Sequence, residues 1–255
     1  MSRLRFLNGN TLKIIAAICM VIDHVGLMFF PYNSIFRIIG RLSFPIFAFM
    51  ISEGAKYTKN RAKYFLMLFS LAAVCQTVYY FFGNSLYMSV LVTFSISLPV
   101  IFSMQEFKRA LFDRGASVTK KIISTIILIA SVAFVIVINH YLDIDYGACG
   151  CLLPAFASIF DFRGIDVPDR YRRLDVLPLR VITFTFGMIL LVADLYDPTV
   201  AVRNAQPFML LAAPLLLMYS GQRGKYKMKY FFYIFYPVHL VVLEGIYILV
   251  YYILK

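Results

Sequence analysis

Residues 11–30 read TLKIIAAICMVIDHVGLMFF, and this stretch decides the class of the fold. A helix of that length rises about 30 Å, the thickness of a bilayer's hydrocarbon core. Its ionisable residues are Lys13, Asp23 and His24. Such groups at membrane depth are costly unless they are paired or face the protein interior, so they are functional candidates by default. Lys13 and His24 are eleven positions apart, which is about three turns plus 20° and roughly 16 Å along the axis. One seam of the helix is therefore polar, and the rest suits lipid or apolar neighbours.

The whole chain agrees with this reading. Of its 255 residues, 61% are hydrophobic and 15% charged, with a mean hydropathy of +0.79. That profile excludes an ordinary soluble enzyme and predicts a polytopic membrane protein. The basic leader before residue 11 runs into an apolar stretch with no small-residue cleavage site, so a retained first span is expected. A net charge of +12 is read as the cation bias of cytoplasmic loops and not as a nucleic-acid surface. Cys149 and Cys151 flank Gly150 without a further Cys or His pair at zinc spacing, so no metal is expected.

Hydropathy predicts an all-α transmembrane bundle of about nine spans, near 11–30, 35–54, 62–82, 86–104, 119–141, 146–160, 176–195, 204–220 and 230–254. Lys and Arg gather at alternate loops. Arg3 and Arg5 precede the first span; Lys56, Lys59, Arg61 and Lys63 follow the second; Lys108, Arg109, Arg114, Lys120 and Lys121 follow the fourth. Arg163, Arg170, Arg172, Arg173 and Arg180 surround the link after the sixth, and Arg223, Lys225, Lys227 and Lys229 follow the eighth. The loops Pro31–Ser34, Gly83–Ser85 and His140–Asp145 have none, and Asp194–Arg203 has one. This alternation predicts a cytoplasmic N-terminus and an outer C-terminus. The chain reads as one integral-membrane domain over 1–255, with Asp161–Asp175 as a surface loop.

Polar groups interrupt the spans at four places. They are Lys13, Asp23 and His24; Arg41, with Glu53 at the inner end of the same span; His239, just after Tyr236-Pro237; and Gln76 with Thr93. Each has a structural reading beside the functional one. Lys13 fits a lysine reaching for the interface. Asp23 and Arg41 fit an ion pair that fixes helix packing. Glu53 near Lys56 fits interfacial charge, and His239 fits a ring bonded to backbone at a kink. His24 in mid-span is the hardest to explain structurally.

Three blocks carry a specific resemblance. Lys13-Ile14-Ile15 is followed by Met20-Val21-Ile22-Asp23-His24-Val25-Gly26, then by Ile39-Gly40-Arg41-Leu42-Ser43-Phe44-Pro45, Ser52-Glu53-Gly54 and Tyr57-Thr58-Lys59-Asn60. Near the other end stand Tyr219-Ser220-Gly221-Gln222-Arg223-Gly224 and Phe232 to Leu240, and Asp145-Tyr146-Gly147 with Gly150 lies between. Together these resemble the TraX family, strongly at both ends and loosely in the middle. The first span is also similar to acyltransferase-3-type membrane enzymes, in which a basic residue precedes a histidine by the same spacing. Here that residue is Lys13 in place of the usual arginine, and lysine lacks arginine's planar fork.

The resemblance implies a multi-pass acetyltransferase of the bacterial cytoplasmic membrane that uses acetyl-coenzyme A. The family's named member acetylates the N-terminal amine of F-type conjugative pilin. The acceptor is therefore expected to be a pilin-like peptide amine, or else the hydroxyl of an envelope glycan. Catalysis is expected from His24 as base, with Asp23 or another carboxylate orienting its ring. Arg41 is expected near the developing charge or holding a structural carboxylate, and His239 at the thioester or in a proton relay. Lys13, Glu53, Lys56 and Tyr236 are the candidate contacts for the donor. Direct transfer and an acetyl-histidine intermediate both stay open. The rival readings are a small-solute transporter and a non-enzymatic pilus or envelope assembly protein.

Overall fold

The side chain of Asn8 accepts a hydrogen bond from the Thr11 N–H at 3.0 Å and so caps the first long helix. In the computed structural model, residues 5–30, 34–83, 86–197, 199, 204–226 and 228–253 are described. Of the expected loops, residues 31–33, 84–85, 198 and 200–203 lie outside the described residues, as do Arg3, Lys227 and Leu254.

The described elements are α1 (Gly9–Phe29), α2 (Ser34–Gly40), α3 (Ser43–Tyr57), α4 (Arg61–Gly83), α5 (Val90–Phe112) and α6 (Val118–Tyr141). They continue as α7 (Gly147–Phe156), α8 (Asp169–Arg172), α9 (Leu177–Leu195), a 3-10 turn (Gln206–Leu211), α10 (Ala212–Leu217) and α11 (Lys229–Ile253). Among the described residues, extended pairing is confined to two isolated bridges, Leu7 with Tyr219 and Met88 with Ile144. The chain is an all-α membrane protein. Among the described residues, six helical stretches are long and apolar enough to cross a bilayer: Gly9–Phe29, Ser34–Tyr57, Val90–Phe112, Val118–Tyr141, Leu177–Leu195 and Tyr230–Tyr252. Helix α4, with 23 residues, also has the length. Exposed apolar faces fit this placement. Ile122, Ile126, Ile129, Phe134 and Val137 of α6 all point away from the protein, where lipid tails and not water cover them.

The remaining apolar stretches differ from uniform spans. The second stretch is two helices, α2 and α3, joined at Arg41 and Leu42. The sixth contains α7, whose 10 residues rise only about 15 Å. Tyr146 and Gly147 precede it in the left-handed region, at φ 62° and 60°. The eighth is the 3-10 turn followed by α10, again shorter than a bilayer core.

The chain forms two compact units, Met1–Phe47 with Leu195–Lys255, and Ala48–Asp194. In the first unit α1 packs on α2 and on α11. Close approach of α1 and α2 depends on small residues. A Cβ on Gly26 would collide with Phe36, and one on Gly40 would collide with the Asp23 carboxylate. Three ring or cation contacts fix the direction of α11: Lys13 with Phe232, His24 with His239, and Phe29 with Tyr247. Both members rise together along the chain, so α1 and α11 run the same way.

In the second unit α5 packs on α4, α6 and α7. Pro99 lies inside α5, and the hydroxyls of Ser95, Ser97 and Ser103 donate to carbonyls of their own helix. Such internal bonding suits a polar side chain away from water. The 161–175 stretch is largely exposed, as expected of a surface loop, but it carries a small core of its own. Phe162, Ile165 and Val167 are buried in a small apolar cluster with Phe112, Phe160, Tyr171 and Leu174, and Asp161 is buried as well.

Candidate functional site

Asp23 and His24 are consecutive, so their side chains leave α1 about 100° apart. Asp23 is turned to the α1–α2 contact. Arg41 Nη2 donates to both of its oxygens, at 2.9 and 2.8 Å. Arg37 Nη1 lies 2.9 Å from Asp23 Oδ1 and also donates to the Asp23 carbonyl at 3.4 Å. Arg37 and Arg41 are four positions apart, one helical turn, and the Arg41 Nε donates to the Arg37 carbonyl at 3.3 Å. Arg41 is 5% exposed. A carboxylate clamped between two guanidiniums is a strong, charge-assisted arrangement. It also fixes the helix pair, the structural role weighed for Asp23 and Arg41.

His24 is turned to α11. Its Nδ1 lies 2.8 Å from the Met20 carbonyl. A carbonyl only accepts, so Nδ1 carries a proton and Nε2 is the ring nitrogen turned away from this bond. The Met20 carbonyl therefore orients this ring, and Asp23 does not, because its oxygens are held by the arginines.

His239 repeats the arrangement on α11. Its Nδ1 lies 3.0 Å from the Phe235 carbonyl. The ring stacks on Phe235 at 5.1 Å and 7°, and meets Tyr236 edge-on at 5.5 Å and 71°. Pro237 sits inside α11, where it cannot donate a backbone hydrogen bond. His239 is 6% exposed, and its Nε2 has no hydrogen-bond partner among the described residues. The two imidazoles meet at 5.2 Å with planes at 85°. Two rings of like orientation, each with Nδ1 on a backbone carbonyl of its own helix, thus share one place in the first unit. The arrangement can accept a proton from a reacting group and pass one on. Toward the start of α1, the Lys13 ammonium sits over the Phe232 ring at 5.8 Å, within cation–π range.

Glu53 and Lys56 belong to the second unit. Arg180 Nη2 lies 2.6 Å from Glu53 Oε1, and the Arg180 Nε donates to the Ala157 carbonyl at 2.9 Å. Lys56 Nζ lies 3.1 Å from Asp161 and 3.4 Å from Asp175. Lys108 Nζ donates to the carbonyls of Ser158 and Asp161, at 2.6 and 2.5 Å. Arg180 and Lys108 thus place cations on carbonyls beyond the C-terminal end of α7, where the helix dipole favours them. The three cations balance the carboxylates of Glu53, Asp161 and Asp175. This corrects the reading of Lys108 as a cation between spans: it is 6% exposed and lies within α5, and Arg180, expected at the edge of the 176–195 span, is 4% exposed within α9.

Sequence reasoning missed Arg37, although its spacing from Arg41 was a usable signal. It also missed the partners of Glu53 and Lys56, which lie over a hundred positions away and leave no local pattern.

The family described as "TraX protein" matches residues 8–247. Over 254 residues the chain is 26% identical to "Probable fimbrial assembly protein FimC, serogroup H1" of Dichelobacter nodosus, covering 95% of this chain and 97% of that protein. It is 53% identical over 40 residues to "Uncharacterized protein RP591" of Rickettsia prowazekii (strain Madrid E), which is 16% of each chain. No solved structure matches.

Proposed function

The chain belongs to the TraX family, and from that premise we propose that it is a membrane-embedded acetyltransferase. It moves an acetyl group from cytoplasmic acetyl-coenzyme A to an amine or hydroxyl at the bacterial inner membrane. The observation that carries the reading is the His24–His239 pair, in which both Nδ1 atoms face backbone carbonyls and both Nε2 atoms are turned away from those bonds.

In this reading the acceptor nitrogen or oxygen attacks the thioester carbonyl. His24 Nε2 takes the acceptor's proton, the C–S bond breaks, and the proton leaves with the coenzyme A thiolate. His239 lies beside the thioester and relays that proton, with Tyr236 shaping the wall. Asp23, Arg37 and Arg41 act through position: they hold the turn of α1 from which His24 projects. Lys13 meets the donor's phosphates. Glu53 and Lys56 serve the second unit's ion-pair network in preference to the donor. The whole chain, 1–255, serves this one activity. The N-terminus is cytoplasmic, and the like direction of α1 and α11 supports the odd number of crossings that such a topology requires.

The acceptor class follows from a relative's name. A protein named for fimbrial assembly favours a surface-fibre subunit with an N-terminal amine over a glycan. The same name favours one second reading, an assembly protein without catalysis. Thermal unfolding of the purified protein separates the two. Acetyl-coenzyme A raises the unfolding temperature of an enzyme that binds it, and leaves an assembly protein unmoved. Mass spectrometry of envelope fractions with and without the gene then identifies the acetylated acceptor.

A further inference from the structure

The loop after α10 is stapled to the first turn of α1. Gly9 N–H donates to the Gln222 carbonyl at 2.8 Å, and Asn10 N–H to the Arg223 carbonyl at 3.0 Å. The Asn10 side chain donates to the Tyr226 carbonyl at 2.7 Å. Gly224, at φ +101°, lies so close to Asn8 and Asn10 that a Cβ does not fit. These contacts use up N–H groups of the α1 start, so the helix end itself is not an anion site. They hold the Arg223 backbone one turn before Lys13. From that anchor the exposed Arg223 side chain and the Lys13 side chain, three positions after Asn10, are both long enough to reach one group beside the start of α1. Among the described residues, no carboxylate makes an ion pair with Lys13 or Arg223.

Two cations held near each other without an acid repel. An anion between them reverses its sign. The geometry points to a phosphate site in which Lys13 and Arg223 together hold one phosphate group of the acyl donor. The inference rests on the acetyltransferase reading and adds to it a specific partner for Lys13 on a pre-set loop. Its placement is consistent with the chemistry. Lys13 and His24 are roughly 16 Å apart along α1, so an extended pantetheine arm anchored there delivers its thioester toward the histidine pair.

The test uses the full-length protein in nanodiscs of phosphatidylcholine alone. Binding of coenzyme A and of pantetheine, which lacks the phosphates, is measured for wild type, Lys13→Gln, Arg223→Gln, Arg223→Lys and the double Gln variant. Each single Gln change weakens coenzyme A roughly ten- to a hundred-fold and leaves pantetheine unchanged. The double variant loses less than the product of the two, because both cations share one ligand. Arg223→Lys restores part of the affinity. Wild-type affinity for coenzyme A in a normally folded Arg223→Gln variant overturns the site and leaves the acetyltransferase reading intact. Absence of coenzyme A binding to the wild type overturns that reading instead. Phosphatidylglycerol in the nanodisc is then the second phosphate source. A lipid stabilisation that Arg223→Gln loses while its coenzyme A affinity stays wild-type assigns the site to a lipid headgroup and overturns the donor assignment.

Discussion

His24 of α1 and His239 of α11 meet edge to face, with ring centroids 5.2 Å apart. They are over two hundred positions apart in the chain, yet each ring is tied by Nδ1 to the carbonyl four residues before it. The fold therefore sets both rings alike and places them in one locality.

Asp23→Asn keeps the side chain's shape and removes the charge shared by the buried Arg41 and the half-buried Arg37. Breaking a buried ion pair by removing one partner costs about 3–5 kcal/mol. The unfolding temperature of the purified variant should fall clearly below wild type. An unchanged temperature would show that Arg37 and Arg41 do not depend on the carboxylate.

Gly40→Ala gives a sign test. At an ordinary helical position this change stabilises by roughly 1 kcal/mol. Here the new Cβ collides with Asp23, and overpacking of that kind costs about 1–3 kcal/mol. Destabilisation is expected, and it should shrink when Asp23 is also shortened to Ala. A stabilised Gly40→Ala would contradict the close packing of α1 and α2.

Glu53 and Arg180 should behave as a pair. Arg180→Met alone leaves the Glu53 carboxylate buried without its cation, at about 3–5 kcal/mol. Glu53→Gln with Arg180→Met should recover part of that loss. Thermal melts of the two singles and the double give the coupling, and strictly additive losses would rule it out.

These sites differ in how far sequence exposes them. Membrane helices were legible because lipid demands long apolar faces, which hydropathy measures directly. Asp23, His24, Arg41 and His239 stood out because ionisable residues are rare at that depth. The break between α2 and α3 was not legible, since both halves are apolar and the joint lies at Arg41 and Leu42. Lys108 was placed outside its helix because a hydropathy window cuts a helix short at a cation, and Arg180, although inside the 176–195 span, was grouped with the cations around the link. Their partners come from distant segments, which no local window contains. The 161–175 stretch looked like a surface loop because its charges mask the alternating Phe162, Ile165 and Val167 that form its own small core.

That stretch offers a proteolysis test. It holds Arg163, Arg170, Arg172 and Arg173, all trypsin sites by chemistry. Asp175 accepts from both the Lys56 ammonium and the Phe162 N–H. Asp175→Asn should loosen the segment and speed tryptic cleavage there, because cleavage follows the population of the open form. Equal cleavage rates in variant and wild type would mean that Asp175 does not hold the segment down.

The most direct measurement of the central claim is single-turnover acetyl transfer from radiolabelled acetyl-coenzyme A to a pilin-like N-terminal peptide. It compares purified wild type with His24→Gln. General-base catalysis contributes on the order of a hundred- to ten-thousand-fold, so the variant should slow by that factor while still binding coenzyme A. Transfer by His24→Gln at the wild-type rate, or no transfer by the wild type to any amine or hydroxyl offered, would contradict the account.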